Sequence, residues 1–214
     1  MNTKHQVHNL IILDESGSMF SIQNQIIRGF NEIVQTVKGV EEQYPEQEHF
    51  ISFVTFNGLG ITEHLFNAPV KNLLQLEAKT YRPDASTPLY DAIGYGVSKL
   101  ERILDGSIDY DVLVTILTDG EENSSREYNQ EAIKKKIEKL ECKRWAFTYT
   151  GTDHDVYRSA GSLSIKNVLQ FTKNDAGLEE MFLKEKAARF NYSANIRSKK
   201  GTDENFYSQD IKGS

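Results

Sequence analysis

Three short stretches of the sequence carry hard oxygen donors at spacings that suit one cation. Asp14-Glu15-Ser16-Gly17-Ser18-Met19 offers a carboxylate and two hydroxyls at alternate positions, with a glycine between the serines that permits a tight turn. Ala85-Ser86-Thr87-Pro88-Leu89-Tyr90-Asp91 adds a third hydroxyl at Thr87, and Leu117-Thr118-Asp119-Gly120 adds a second carboxylate at Asp119. Oxygens without imidazole or thiolate suit Mg²⁺, or Mn²⁺ or Ca²⁺, over softer metals. If the hydroxyls of Ser16, Ser18 and Thr87 bind directly while Asp14 and Asp119 act mainly through water, the ion's surroundings are nearly neutral. Such an ion stays electrophilic and seeks a carboxylate from outside.

For these stretches to converge, the elements before them must end at one edge. Val7 to Leu13 is a continuous apolar, β-prone run that stops at Asp14, as a strand buried on both faces of a parallel sheet does. Tyr110 to Leu117 is the most hydrophobic segment and predicts a central strand beside the first, stopping just before Asp119. From Ile22, the positions Ile26, Ile27, Phe30, Ile33, Val34 and Val37 keep helical spacing, with Gly39 near the helix end. Pro88 stands at the first position of a second helix, whose period runs through Leu89, Ile93, Val97, Leu100 and Leu104 to Gly106.

His49 to Phe56 and Ile61 to Phe66, separated by Gly58 and Gly60, predict a hairpin whose second strand is an antiparallel edge. Val70 to Tyr81 has no clear period. A lysine-rich helix from about Asn129 to Glu141 follows, then a strand at Trp145 to Thr150 and a short helix near Val156 to Gly161. A strand at Asn167 to Phe171 and a last helix from about Ala176 to Tyr192 complete the pattern.

This alternation predicts an α/β fold: a doubly wound, mostly parallel six-stranded sheet with one antiparallel edge strand and helices on both faces. Residues 1–6 read as an N-terminal extension, 7–192 as the domain and 193–214 as a tail that wraps the domain or is disordered. In an open parallel sheet, ligands bind beyond the carboxyl ends of the strands where the strand order reverses. Asp14 and Asp119 both fall at that edge.

The three motifs together resemble the metal-ion-dependent adhesion site of von Willebrand factor A (vWA) domains, whose pattern is Asp-x-Ser-x-Ser, a distant Thr and a distant Asp. Asp14, Ser16 and Ser18 match its first element, Thr87 in STPLYDAI the second and Asp119 in LTDGEEN the third. In element order the resemblance runs from about His8 to Tyr192. It implies a Rossmann-like vWA fold, Thr87 as a direct metal ligand, and a protein partner whose Asp or Glu completes the metal's shell. Bacterial single-domain versions look like scaffolds in assemblies or stress systems. Ala85-Ser86 stands where many relatives have Gly-Gly, which leaves the ligand positions untouched and bears on the loop shape.

Plainer readings of these residues stay open in the sequence. Asp14-x-Ser-x-Ser, and Thr87 before Pro88, also suit helix amino-terminal caps. Asp91 reads as an acid favoured by a helix dipole, with support of the metal as the alternative. Glu121 and Glu122 read as solvated loop acids, or as groups that repel acidic partners. His154, between Asp153 and Asp155, reads as a polar helix start rather than a metal cluster. Lys134, Lys135 and Lys136 share their helix with Glu131, Glu138 and Glu141 and read as a solvated charged face.

A chain of 214 residues with 38% hydrophobic content is long enough for one well-filled core. Its net charge of -6 and pI near 5.5 argue against nucleic acid and anionic membrane as partners. Cys142 is the single cysteine, so no internal disulfide forms and the cytoplasm is the expected compartment. No apolar run is long enough to span a membrane, and Leu10 to Leu13 is too short for the core of a signal peptide.

Neither phosphate-binding glycine fingerprint occurs. The expected function is a divalent-cation-dependent protein-binding module that captures an acidic side chain, and not an enzyme. The alternative is a Mg²⁺-dependent hydrolase or phosphotransferase with Asp14 as nucleophile. Such enzymes usually carry a second acid two positions on, where Ser16 stands here.

Overall fold

The structure, a computed structural model, describes residues 4–153, 155–201 and 206–207. Strands β1 (His5–Asp14), β2 (Gln47–Asn57), β3 (Gly60–Pro69), β4 (Tyr110–Thr118), β5 (Trp145–Gly151) and β6 (Asn167–Gln170) form one sheet. Their spatial order is β3-β2-β1-β4-β5-β6. All neighbours pair in parallel except β3, which lies antiparallel to β2 at the edge. This is the doubly wound arrangement that the alternation of elements predicts.

Alternation along the central strands divides the core into two layers. Leu10, Ile12, Val112, Val114 and Ile116 face helices α2 (Leu89–Ile103), α3 (Gln130–Glu141) and α4 (Val156–Ser162). Ile11, Leu13 and Leu117 face α1 (Gln23–Gln43) and α5 (Asp175–Arg197). Because both faces are covered, β1 is continuously apolar over Leu10–Leu13 and β4 over Val112–Val114 and Ile116–Leu117, without strict alternation with polar residues. Among the described residues no helix is long and apolar enough to cross a membrane.

Several element ends differ from the sequence expectation, among them the start of β1 at His5 rather than Val7 and the end of β3 at Pro69 rather than Phe66. A 3-10 turn (Gly17–Ile22) precedes α1, and α1 runs through Gly39 to Gln43, since Val40 is buried and one helical glycine costs only about 1 kcal/mol. Pro88 is the residue capping α2, and the helix proper starts at Leu89. Helix α5 continues past Tyr192 to Arg197, with Ser193 and Ile196 buried.

Helix α5 also turns a charged pair toward the sheet, which breaks its apolar period. Arg189 donates to Glu185 Oε1 at 2.9 Å, Asn9 Oδ1 at 3.0 Å and Thr115 Oγ1 at 2.7 Å. Tyr207 returns to donate to Glu185 Oε2 at 2.7 Å, and Phe206 packs edge-on to Tyr192, so these two residues of the tail lie against the domain. Each guanidinium nitrogen of Arg189 and both carboxylate oxygens of Glu185 have a partner, which is the condition for tolerating a buried pair.

Candidate metal centre

The strand order reverses between β1 and β4, with β2 and β3 on one side and β5 and β6 on the other. Leu13 pairs with Leu117, so Asp14 at the end of β1 comes beside Thr118 at the end of β4. Thr118 Oγ1 donates to Asp14 Oδ2 at 2.5 Å, and the Ser16 amide donates to Asp14 Oδ1 at 2.7 Å. Burial pushes the Asp14 pKa up to about 6, against the opposing pull of the hydrogen bonds from Thr118 and Ser16. Ser16 Oγ lies 3.1 Å from Ser18 Oγ, and Ser18 Oγ donates to Asp119 Oδ1 at 2.5 Å.

The Thr87 loop is fastened to this corner from both sides. The Asp84 amide donates to Glu15 O at 2.9 Å, the Gly17 amide to Ala85 O at 3.0 Å, and the Arg82 amide to the Glu15 carboxylate. On the other side the Thr87 amide donates to Asn123 Oδ1 at 2.9 Å, while the Asn123 amide donates to Thr87 O at 3.2 Å. Thr87 Oγ1 and Ser18 Oγ both stand close to Gly120, 3.6 and 3.7 Å from where a Cβ there would lie. Thr87 is buried, as are Asp14, Ser16 and Asp119.

The capping alternatives do not describe this corner. No side chain caps α2 at Pro88, and the amides of its first turn go elsewhere, Tyr90 to Glu122 Oε2 at 2.9 Å and Asp91 to Ser125 Oγ at 3.1 Å. Ser16 is the cap position of the 3-10 turn, yet its hydroxyl makes no capping bond. The glycine reading also shifts. Gly17 is not in the left-handed region; Ala85 is, at φ 61°. That is the position where a glycine would be at ease.

Tyr81 and Lys173 carry no signal in the sequence, and other residues of this region take roles more specific than the sequence gives. Tyr81 donates its hydroxyl to Asp14 O at 2.7 Å, and burial raises its pKa well above the ordinary value. Glu122 is no free loop acid, since it also accepts the amides of Ser124 at 2.8 Å and Ser125 at 2.7 Å. Asp91 has a structural task, accepting the amides of Arg126, Glu127 and Tyr128 at 2.8 to 2.9 Å. Lys173 reaches in from the segment after β6 and places Nζ 2.7 Å from Asp119 Oδ2 and 2.7 Å from Asp153 Oδ2. His154 lies outside the described residues, and Asp155 beside it caps α4 by accepting the Arg158 amide at 3.0 Å.

Away from the corner, Lys135 pairs with Glu131 at 2.7 Å and Lys136 with Glu101 at 3.0 Å, as a charged outer face should. Cys142 is exposed.

The donor set fits a hard cation. Three hydroxyls and two carboxylates gather at this corner, all oxygen, and the buried Asp119 Oδ2 faces the Lys173 ammonium at 2.7 Å. Among the described residues no three His, Cys, Asp or Glu side chains gather as a metal cluster, so hydroxyls must supply much of any coordination.

The sequence matches no family model, and no curated protein matches it. Solved structures align with the fold. The SpRpn10 VWA domain superimposes at a TM-score of 0.53, with 9% identity, over 83% of this chain and 94% of its own. The chain has a vWA fold. The pilus adhesin SpaC from Lactobacillus rhamnosus GG, in an open conformation, reaches a TM-score of 0.60 at 11% identity over 89% of this chain. Proximal thread matrix protein 1 from the mussel byssus reaches 0.53 at 12% identity over 87%. This chain spans 30% of the adhesin and 46% of the mussel protein. At such identities the likeness is one of fold alone.

Proposed function

We propose that this chain is a divalent-cation-dependent protein-binding module, with Mg²⁺ held by Ser16, Ser18 and Thr87 directly and by Asp14 and Asp119 mainly through water. The observation that carries this reading is the convergence of the three hydroxyls with Asp119 at the point where the strand order reverses. Both oxygens of Asp14 already accept protein hydrogen bonds, which suits an outer, water-mediated role. A metal with few anionic ligands keeps its affinity for an incoming carboxylate, so the partner offers an Asp or Glu side chain. Mn²⁺ or Ca²⁺ would fit the same oxygens.

The same arrangement argues for binding without turnover. A nucleophilic Asp14 would need a free, accessible oxygen, whereas this one is wholly buried with both oxygens engaged. The acidic surface and single exposed cysteine support a cytoplasmic module with protein rather than nucleic acid or membrane partners.

The test is selection from a displayed peptide library in Mg²⁺, repeated with chelator and with Asp14→Ala. Enrichment of Asp- or Glu-bearing peptides that vanishes in both controls is expected. Enrichment that survives chelation, or that shows no acidic residue, overturns the reading. Phosphate release from a phosphoester that disappears in Asp14→Asn would favour the hydrolase instead.

A further inference from the structure

We infer that Lys173 is a tethered counter-cation of the metal centre, competing with the divalent ion for Asp119 and so setting the concentration at which the site fills. This rests on the metal-dependent reading above and names its regulation.

Two carboxylates, Asp14 and Asp119, sit almost wholly out of water within one corner of the fold. Buried negative charge without a compensating cation is costly. Lys173 is the cation that the chain itself supplies, its side chain only 18% exposed and its Nζ shared between Asp119 Oδ2 and Asp153 Oδ2. An ammonium that lies 2.7 Å from each of two carboxylates is a fixed positive charge at this place.

Its position is also fixed by the backbone. Phe171, two residues before it, is buried in the core, and Asn174, the next residue, caps α5 by accepting the Gly177 amide at 2.8 Å. The Asn174 amide in turn donates to Thr172 O at 2.8 Å. A lysine held on both sides in this way delivers its charge to one spot, unlike a surface lysine that samples many.

A dication drawn to Asp119 meets the ammonium already paired there. Like charges at such separations in a half-buried site repel strongly, so the ion must displace Nζ from Asp119. Asp153, on the loop after β5, is the partner to which the ammonium can then retire.

The experiment is calorimetric titration with Mn²⁺ of the full chain and of Lys173→Met, Lys173→Arg and Asp153→Asn, alongside thermal melts with and without the metal. Lys173→Met is expected to bind Mn²⁺ about tenfold or more tightly, to melt lower without metal and to be restored by it. Lys173→Arg keeps the charge and should stay near the parent affinity. Asp153→Asn leaves the ammonium wholly to Asp119 and should weaken binding, which keeps a test in hand if Lys173→Met does not fold.

Parent affinity unchanged or weakened in Lys173→Met would overturn the inference while leaving the metal reading intact, and so would unchanged or tighter binding in Asp153→Asn. Binding seen only in Lys173→Met would support it in its strongest form. No binding by parent or variants would remove both the inference and the metal reading.

Discussion

Ser18 Oγ donates to Asp119 Oδ1 at 2.5 Å, joining the loop that follows β1 to the loop that follows β4 across the centre of the sheet. This contact ties two separate motifs into one corner, and Asp14 completes it from behind through Thr118. Asp14→Ala and Asp119→Ala are each expected to lower Mn²⁺ affinity by about 100-fold or more, the upper end of what loss of an outer metal support does. Calorimetric titration reads the affinity, and a melt confirms that each variant is folded. Undiminished affinity in either variant would take that aspartate out of the site.

Thr87 makes no capping bond, so its removal should spare the helix that follows it. Thr87→Ala is expected to weaken cation binding while shifting stability by less than about 0.5 kcal/mol, and Thr87→Ser to retain both. Thr87→Asp adds a carboxylate where the partner's should arrive. Cation binding should persist in that variant while capture of an acidic peptide fails. Full peptide capture by Thr87→Asp would mean that the metal's open position is not the recognition site.

Ala85 holds a left-handed conformation at φ 61°, and a Cβ on Gly58 would stand 2.3 Å from Ser86 Oγ and 2.9 Å from Ser86 N. Ala85→Gly relieves backbone strain and should raise stability by about 1 kcal/mol. Gly58→Ala must push the 85–87 loop away and should cost about 1 to 3 kcal/mol, with weaker cation binding as Thr87 shifts. Chemical unfolding of the two variants would show opposite signs; a destabilised Ala85→Gly would contradict the strain argument.

Acid should destabilise the fold through two buried histidines. Burial lowers the pKa of both His8 and His49 from 6.5 to about 4. Unfolding returns each to its ordinary value, so between those pH limits the unfolded chain binds more protons and stability falls as pH falls. Each contributes a loss of roughly 2 kcal/mol by about pH 5. His8 Nδ1 faces Asn67 Oδ1 at 2.8 Å and its Nε2 is buried without a hydrogen bond, which fits a neutral ring.

His5 acts in the opposite sense. Its hydrogen bond to Asp111 raises its pKa, so its contribution is present at low pH and fades as pH rises through that raised value. Urea unfolding near pH 7 and near pH 5 should show the net loss on acidification, with His8→Phe reducing it. A His8→Phe variant as acid-sensitive as the parent would exclude His8 as a source.

The sequence by itself determined the order and type of the elements and pointed to five oxygen-bearing residues as candidate donors. Apolar runs such as Tyr110 to Leu117 and helical spacing such as Leu89 to Leu104 are set by burial of neighbours along one chain, and that periodicity is visible before folding. Three things were decided only by the tertiary structure. Helix α5 passes Tyr192 because Ser193 and Ile196 are buried and Arg197 pairs with Glu46, a partner that lies far along the chain. Glu122 accepts the Tyr90 amide because the loop after Asp119 folds over the start of α2. Lys173 became a partner of Asp119 because parallel strands β4, β5 and β6 deliver their following loops to the same edge, a neighbourhood that no local spacing encodes.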